Sequence, residues 1–332
     1  MKSWSHNVSR TYWILIVSAI VAILLAIVFL ETRPHARPRL GVTFSSVYAR
    51  QLGLDPREVF TALLDDVGVR HFRIPVYWSE TEPLEGEFHW DDVDWMMDEA
   101  AARGAQVTLV IGHKVPRWPE CYIPDWAETG TYPFDREKLL VFMGAAVERY
   151  REEPALERWQ VENEPYLPFG VCPEATKENI DGEVELVRSL DDRPIIMTAS
   201  GELQRWGLTA RQSDVLGVSV YRITWNRAVG YIRYPLPPWF YRLRARLVRP
   251  ATDAVIISEL QAEPWFPEAI GNRSPSEWAK EFTADDLRAN VLFAAQTGMP
   301  EVDLWGAEWW YFLLKNDEPE LWEEAVRVFR KS

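Results

Sequence analysis

Eight short stretches of the chain are dominated by apolar side chains: RLGVTFS (39–45), VRHFRIPVYW (69–78), QVTLVIG (106–112), ERWQVEN (157–163), PIIMTAS (194–200), VLGVSVY (215–221), AVIISEL (254–260) and EVDLWGA (301–307). Most are near-continuous apolar runs, as expected of parallel strands covered on both faces. Helical patterns lie between them. DPREVFTALLDDVG (55–68) opens on Asp followed by Pro and closes on Gly, and WDDVDWMMDEAAARG (90–104) also closes on Gly; these are start and stop signals with known hydrogen-bonding reasons. FDREKLLVFMGAAVERYRE (134–152), ENIDGEVELVRSL (178–190), SPSEWAKEFTADDLRANVLFAAQTG (274–298) and PELWEEAVRVFRK (319–331) complete the regular set. The fifth crossover, GELQRWGLTARQSD (201–214), and the sixth, within 222–253, have weaker helical patterns.

Eight strands, each followed by a crossover, over about 290 residues predict an α/β fold, a (β/α)8 TIM barrel spanning 39–332. An open doubly wound sheet would want a Gly-rich phosphate-binding first turn, and the first connection, SSVYARQLGLD, has none. The composition, 47% hydrophobic and 26% charged, is that of a globular chain. Formal net charge is −14; residues 1–39 hold five basic side chains against one acidic, so the remainder carries −18. An acidic body of this size argues against a nucleic-acid partner. No His, Asp or Cys cluster stands at metal-ligand spacing, and neither a metal nor an organic cofactor is expected.

In such barrels chemistry gathers at the carboxyl ends of the strands. The fourth strand ends in Asn163-Glu164-Pro165 and the seventh in Ser258-Glu259-Leu260; the second ends near Arg73, the third at His113, the sixth at Tyr221 and the eighth at Trp305. Two carboxylates facing each other across the mouth are the equipment of a glycosidase. About 5 Å between them suits retention through a covalent intermediate, and a wider gap suits inversion. Glu162 is expected on the outer, helix-facing side by strand alternation. Glu82, Glu263 and Glu308 fall in rim loops as rival carboxylates, and Trp78, Trp118, Trp265, Trp309 and Trp310 lie near the same rim, where each taken singly reads as packing and several together as wall.

The stretches FRIPVYWSETEPLEGEFHWDDVDWMMDEAAARG, VENEP and VIISELQAEPW resemble glycoside hydrolase clan A, the superfamily of cellulase-like and β-galactosidase-like barrels. The resemblance runs from about residue 39 to the C-terminus and assigns no family within the clan. It implies Glu164 as acid/base and Glu259 as nucleophile of a retaining enzyme acting on a β-linked oligo- or polysaccharide. It further implies that Arg73 pairs with Glu259, that Tyr221 donates to the same carboxylate, and that Asn163 binds the sugar 2-hydroxyl. Trp305 would stack under the sugar and His113 would bond a ring hydroxyl. A transglycosylase on the same site, or a silent glycan-binding protein on the same scaffold, are the alternatives.

Ahead of the barrel, residues 1–11 form a short flank and 12–30, YWILIVSAIVAILLAIVFL, hold 19 residues without a charge. That length nearly spans a bilayer core, so one N-terminal transmembrane helix is expected, followed by a linker at 31–38. A cleaved signal peptide is the alternative, although VFLETRP offers no small-residue cleavage site. Both flanks are basic and leave orientation open; the activity favours a barrel outside the cytoplasm. Cys121 and Cys172 follow the third and fourth strands on neighbouring loops, where a disulfide would brace the rim and two free thiols are the alternative. Residues 227–250 carry six arginines and no acid. They read as a decorated crossover helix paired with the acidic surface, or as a patch for anionic headgroups.

Overall fold

Strands whose two faces must both be covered can close on themselves, and these do. The computed structural model describes residues 3–31, 37–128 and 134–331. Its barrel strands are β1 (Arg39–Thr43), β2 (His71–Pro75), β3 (Gln106–Ile111), β4 (Leu156–Val161), β5 (Ile195–Ser200) and β6 (Val215–Val220). An antiparallel hairpin follows, β7 (Ile223–Asn226) with β8 (Gly230–Arg233), before β9 (Ala254–Gln261) and β10 (Glu301–Trp305) complete the barrel. All eight barrel pairings are parallel, in the closed order β1-β10-β9-β6-β5-β4-β3-β2.

The helices are α1 (Ser3–Glu31), α2 (Ser46–Gln51), α3 (Pro56–Ala62), α4 (Trp78–Thr81), α5 (Asp91–Ala102), α6 (Arg136–Tyr150), α7 (Lys177–Leu190) and α8 (Gly207–Gln212), then α9 (Pro238–Val248), α10 (Pro275–Trp278), α11 (Ala284–Thr297), α12 (Ala307–Lys315) and α13 (Glu320–Phe329). The predicted signals act where they stand. Asp55 accepts from the Arg57 N–H at the start of α3, and the π turn continuing it ends on Gly68 in the left-handed region.

Three expectations need correction. The pattern over 274–298 is two helices, because Ser274 with Glu277 and Thr283 with Asp286 each build a capping box; two sets of helix-start donors are satisfied inside one apparent period. The stretch after β10 is a further helix, α12, in which Trp309 and Trp310 are fully buried core rather than rim. The first part of 227–250 holds strand β8 and only the second part is helical, α9 followed by a 3-10 turn at Arg249–Ala251, and two of the α9 arginines serve backbone carbonyls. Arg242 donates to the carbonyls of Thr297 (3.1 Å) and Gln296 (2.5 Å), and Arg244 to those of Gly201 and Gln204 while lying 4.0 Å from the Trp206 ring centre.

The strands are also less uniformly apolar than expected. Leu40 and Val42, Phe72 and Ile74, and Trp159 and Val161 point outward and join the main core beneath the helices. The alternate positions point inward and many are polar: Thr43, His71, Arg73, Thr108, Arg158, Gln160, Thr198, Ser258 and Asp303 are all buried. Apolar packing inside is confined to small clusters such as Ile196, Val215 and Ile256. At the amino-terminal end Arg39 and Arg158 bridge Glu157 and Glu301. One layer higher, His71 Nδ1 lies 2.8 Å from Asp303 and its Nε2 3.2 Å from Glu157.

α1 is a continuous helix of 29 residues. Among the described residues no helix is long and apolar enough to cross a membrane. Part of the 12–30 run expected to do so has side chains that lie outside the described residues.

His71 supplies a stability prediction. Burial opposes its charge, but the Asp303 and Glu157 carboxylates overcome that and hold its pKa up at about 9. A histidine pKa raised on folding contributes stability that is fully present below about pH 6.5 and is lost as pH rises through the folded value. Unfolding free energy is therefore expected to fall by on the order of 3 kcal/mol between pH 6.5 and 9.5. His71→Gln should flatten that slope in urea titrations; an unchanged slope would exclude His71 as its source.

Candidate active site

The site is built around a charge that no water reaches. Arg73, on β2, is fully buried and reaches across the lumen. Its Nε donates to Gln160 Oε1 (2.7 Å), Nη2 to Asn163 Oδ1 (2.7 Å), and Nη1 to Glu259 Oε1 (2.9 Å) and Thr43 Oγ1 (3.2 Å). One planar fork thereby fixes groups on β1, β4 and β9 together.

Glu259 faces the mouth because β9 carries an extra residue. Val218 pairs with Ile257 but Ser219 with Glu259, and on the other edge Val302 pairs with Ile257 but Leu304 with Leu260. This bulge at Ser258–Glu259 resets the alternation, as bulges beside active sites do. Besides Arg73, Glu259 accepts from Tyr221 Oη (3.0 Å).

The end of β4 turns by a different device. Glu162 (φ 56°) and Glu164 (φ 44°) are both left-handed, flanking Asn163. Such backbone is unfavourable for residues with a Cβ and persists where its surroundings force it. Here the Glu162 N–H donates to Ile111 O (2.9 Å), Asn163 N–H to Lys114 O (2.6 Å) and Glu164 N–H to Thr198 Oγ1 (2.7 Å). Glu162 leaves the cleft as expected: its carboxylate accepts from the N–H groups of His113 (2.9 Å) and Lys114 (2.6 Å). Any side chain at Gly112 would meet it at 2.3 Å. Asn163 Oδ1 is held by Arg73 and Thr198 Oγ1, which turns its NH2 group the other way.

Glu164 is 7% exposed and Glu259 4%. Glu164 Oε1 accepts from Ser219 Oγ (2.7 Å). Burial first, and the Glu259 charge second, push the Glu164 pKa up to about 8 against the opposing Ser219 hydrogen bond. One carboxyl is thus held protonated at neutral pH beside another that is paired with a guanidinium. That pair can donate a proton on one side of a bond and attack on the other.

The other expected residues divide. Tyr221 meets Glu259, as just described. The partner found for His113 is not a cleft group: its Nδ1 lies 2.8 Å from Glu162, and its ring packs on Phe134 at 4.7 Å. Trp305 is buried at the mouth with the Arg117 guanidinium over its ring at 4.1 Å, so one face is already covered. Among the rivals, Glu82 holds Trp78 Nε1 (2.9 Å) and the Gly86 N–H (2.8 Å). Glu308 stands in the first turn of α12, not in a loop, and with Glu263 clamps Arg117. Of the five rim tryptophans, Trp78 joins Trp309 and Trp310 in the core, while Trp118 is 62% exposed and Trp265 half-buried. Phe169 lies 6.2 Å from Trp118 and 6.1 Å from Trp265, and Trp265 is 5.7 Å from Tyr221, giving an aromatic line along the rim. Cys121 and Cys172 form a disulfide with Cα atoms 5.3 Å apart.

Several contributors escaped the sequence reading. Ser219 had a signal, standing two residues before Tyr221 in a strand. Lys114, Arg117, Glu120 and Glu202 stand in connections with no periodicity to aim them. Glu202, which accepts from Tyr241 Oη (2.5 Å), is pushed up to about 7 by burial.

No family model matches the chain. A stretch of 122 aligned residues is 30% identical to the β-galactosidase Pbg of Clostridium perfringens, covering 30% of this chain and 17% of that protein. Among solved structures, the chain is similar to the β-galactosidase of the psychrophilic Marinomonas ef1, with TM-score 0.57, 16% identity, and coverage of 88% of this chain and 59% of that one. It is also similar to the exo-β-1,4-mannosidase Op5Man5 of Opitutaceae bacterium strain TAV5, with TM-score 0.58, 15% identity, and coverage of 89% and 59%. The chain therefore spans about three fifths of those structures and under a fifth of the curated relative. These likenesses establish the fold, the (β/α)8 barrel shared by the glycosidases that the sequence motifs resemble.

Removing the guanidinium would strand a buried carboxylate, an effect of about 3–5 kcal/mol in comparable pairs. Arg73→Met is expected to lower the unfolding free energy by that amount in urea titrations. A loss below about 1 kcal/mol would show that the fork does not hold the site together.

Proposed function

We propose that this protein is a retaining β-glycosidase, with Glu164 as acid/base and Glu259 as nucleophile. The observation that carries the reading is the contrast between two carboxyls at one barrel mouth: Glu164 buried with its pKa pushed up to about 8, Glu259 bonded to Arg73 and Tyr221. In the first step Glu259 attacks the anomeric carbon while Glu164 gives its proton to the departing oxygen, leaving a glycosyl ester. In the second, Glu164, now a carboxylate, takes a proton from the water that attacks the same carbon and frees Glu259. The NH2 group of Asn163, oriented by Arg73 and Thr198, donates to a sugar hydroxyl. The rim line of Trp118, Phe169 and Trp265 offers ring faces to further sugar units of an oligo- or polysaccharide.

Turnover of aryl β-glycosides by the whole chain tests the reading. Glu164→Gln should lower kcat about 10²- to 10⁴-fold on substrates with poor leaving groups. Glu259→Gly should be inactive until azide restores turnover as a glycosyl azide of inverted configuration. Undiminished turnover in both variants would overturn the assignment. The acid form of Glu164 is required, so kcat/KM should fall as pH rises through about 8, and that limb should vanish in Glu164→Gln.

Attachment to a membrane through α1, with the barrel outside the cytoplasm, belongs to the same proposal. Ten large apolar side chains between Tyr12 and Leu24 are each 46–65% exposed, a distribution suited to lipid. The Cys121–Cys172 disulfide supports an oxidising compartment. The whole chain should sediment with membranes and resist alkaline carbonate extraction, while residues 39–332 alone should not; equal behaviour would remove α1 as the anchor.

A further inference from the structure

One charged side chain at the mouth has no evident task. The connection after β3 doubles back as a hairpin in which the Tyr122 N–H donates to His113 O (2.9 Å), Val115 N–H to Glu120 O (2.8 Å) and Glu120 N–H to Arg117 O (2.7 Å). Arg117 (φ 87°) and Glu120 (φ 75°) are both left-handed at its tip. The loop after β4 presses on the same tip: the disulfide joins Cys121 to Cys172, and the Val171 N–H donates to Pro119 O (3.0 Å). A Cβ on Gly170 would come within 2.9 Å of Glu120 Cβ. Two loops thus force Glu120 inward, where it is 6% exposed.

Its Oε2 has no hydrogen-bond partner. The nearest cation, Lys114 Nζ, is 3.9 Å away and donates instead to the carbonyls of Glu164 (3.1 Å) and Leu167 (2.7 Å). Neighbouring buried carboxylates are committed: Glu162 to two N–H groups, Glu82 to Trp78 and Gly86, Glu308 to Ser45 and Arg117, and Glu263 to Arg117 through one oxygen. Burial, then the charges of Glu164 and Glu259, raise the Glu120 pKa well above the usual range against the pull of Lys114. Lys114 Nζ, 3.9 Å from Glu120 and 3.1 Å from the Glu164 carbonyl oxygen, places the group beside the turn that carries Glu164. Among the described residues no three His, Cys, Asp or Glu side chains are arranged to hold a metal ion. A buried acceptor held open beside a reacting centre fits a donor on the substrate.

We propose that Glu120 is the specificity carboxylate of the sugar site: it accepts hydrogen bonds from donor groups on the glycone and admits glycones without negative charge. The inference rests on the glycosidase reading and names its substrate class. The donor is a hydroxyl of a neutral sugar or the ammonium of an amino sugar; both present the same chemistry to a carboxylate. Uronic, sialic and sulfated glycones would meet the Glu259 carboxylate and Glu120 with Arg73 already bonded to Glu259, and a further buried anion left without a counter-charge is excluded.

The test uses the whole chain as wild type, Glu120→Gln and Glu120→Ala. Aryl β-galactoside, glucoside and mannoside identify the best glycone; its monodeoxy forms, its 2-amino-2-deoxy form and the aryl β-glucuronide complete the panel. Glu120→Ala is expected to lower kcat/KM on the best glycone about 10- to 100-fold. One monodeoxy substrate should lose as much with wild type and nothing further with Glu120→Ala, because the same hydrogen bond is missing from either side. Wild type should leave the glucuronide untouched. Glu120→Gln, isosteric and uncharged, should keep the wild-type unfolding midpoint; if its loss is greatest on the amino glycoside, the ammonium is the donor, and if greatest on the hydroxy glycoside, the hydroxyl is. Losses equal across all deoxy positions would mark a structural role and overturn the inference, as would preference for the glucuronide. Wild-type turnover unaffected by either Glu120 variant overturns the inference alone; no wild-type turnover of any glycoside overturns the glycosidase reading with it.

Discussion

A guanidinium buried inside a barrel is costly to desolvate, and the arrangement around Arg73 is what makes it tolerable. Its donors find Gln160, Asn163, Thr43 and Glu259, each near 3 Å. A lysine would bring the charge without the planar fork, and could not hold three strands in one plane. The interaction runs both ways. Arg73 is the counter-charge of Glu259, and that carboxylate offsets part of the cost of burying Arg73. From this pair follow the orientation of the Asn163 amide and, through the Glu259 charge, part of the upward push on Glu164.

The polar lumen explains a division of labour in the fold. Stability comes mainly from the apolar layer between strands and helices, where Phe72, Ile74, Trp159 and Val161 meet the helix faces. The inward positions are thereby released from that role and can stack polar layers, from the Arg39, Arg158, Glu157 and Glu301 cluster, through His71 and Asp303, to the Arg73 network under the mouth. Most groups in these layers have a partner, Ser258 Oγ being an exception, and a well-satisfied polar network is rigid. That rigidity lets two short connections hold unfavourable backbone. Among the described residues, four of the five left-handed residues other than glycine, Arg117, Glu120, Glu162 and Glu164, lie in the loops after β3 and β4 at the site.

Much of this was legible in the chain. The eight strands were readable from apolar runs, and the helical stretches at 55–68 and 90–104 from an Asp cap or a closing glycine, because those signals are local. The strand-end logic singled out Glu164, Glu259, Arg73 and Tyr221, since in a barrel the end of a strand is a place and not merely a position. The capping boxes at Ser274 and Thr283 were present but masked by continuous helical periodicity. Trp309 and Trp310 are packing, as each tryptophan read singly suggested, but aromatic content alone did not reveal the helix, α12, that buries them.

What the sequence determined by itself is therefore the order of elements, the closure of the barrel and the short list of strand-end side chains. These depend on hydrophobic period and on hydrogen bonds between neighbours in the chain. Only the tertiary structure decided which way those side chains face. The extra residue at Ser258–Glu259 is visible only against the registers of β6 and β10, and it turns Glu259 into the mouth. The inward aim of Glu120 depends on a loop some fifty residues away in sequence and on a disulfide to it. Direction, unlike periodicity, is fixed by contacts between segments that the chain brings together only when it folds.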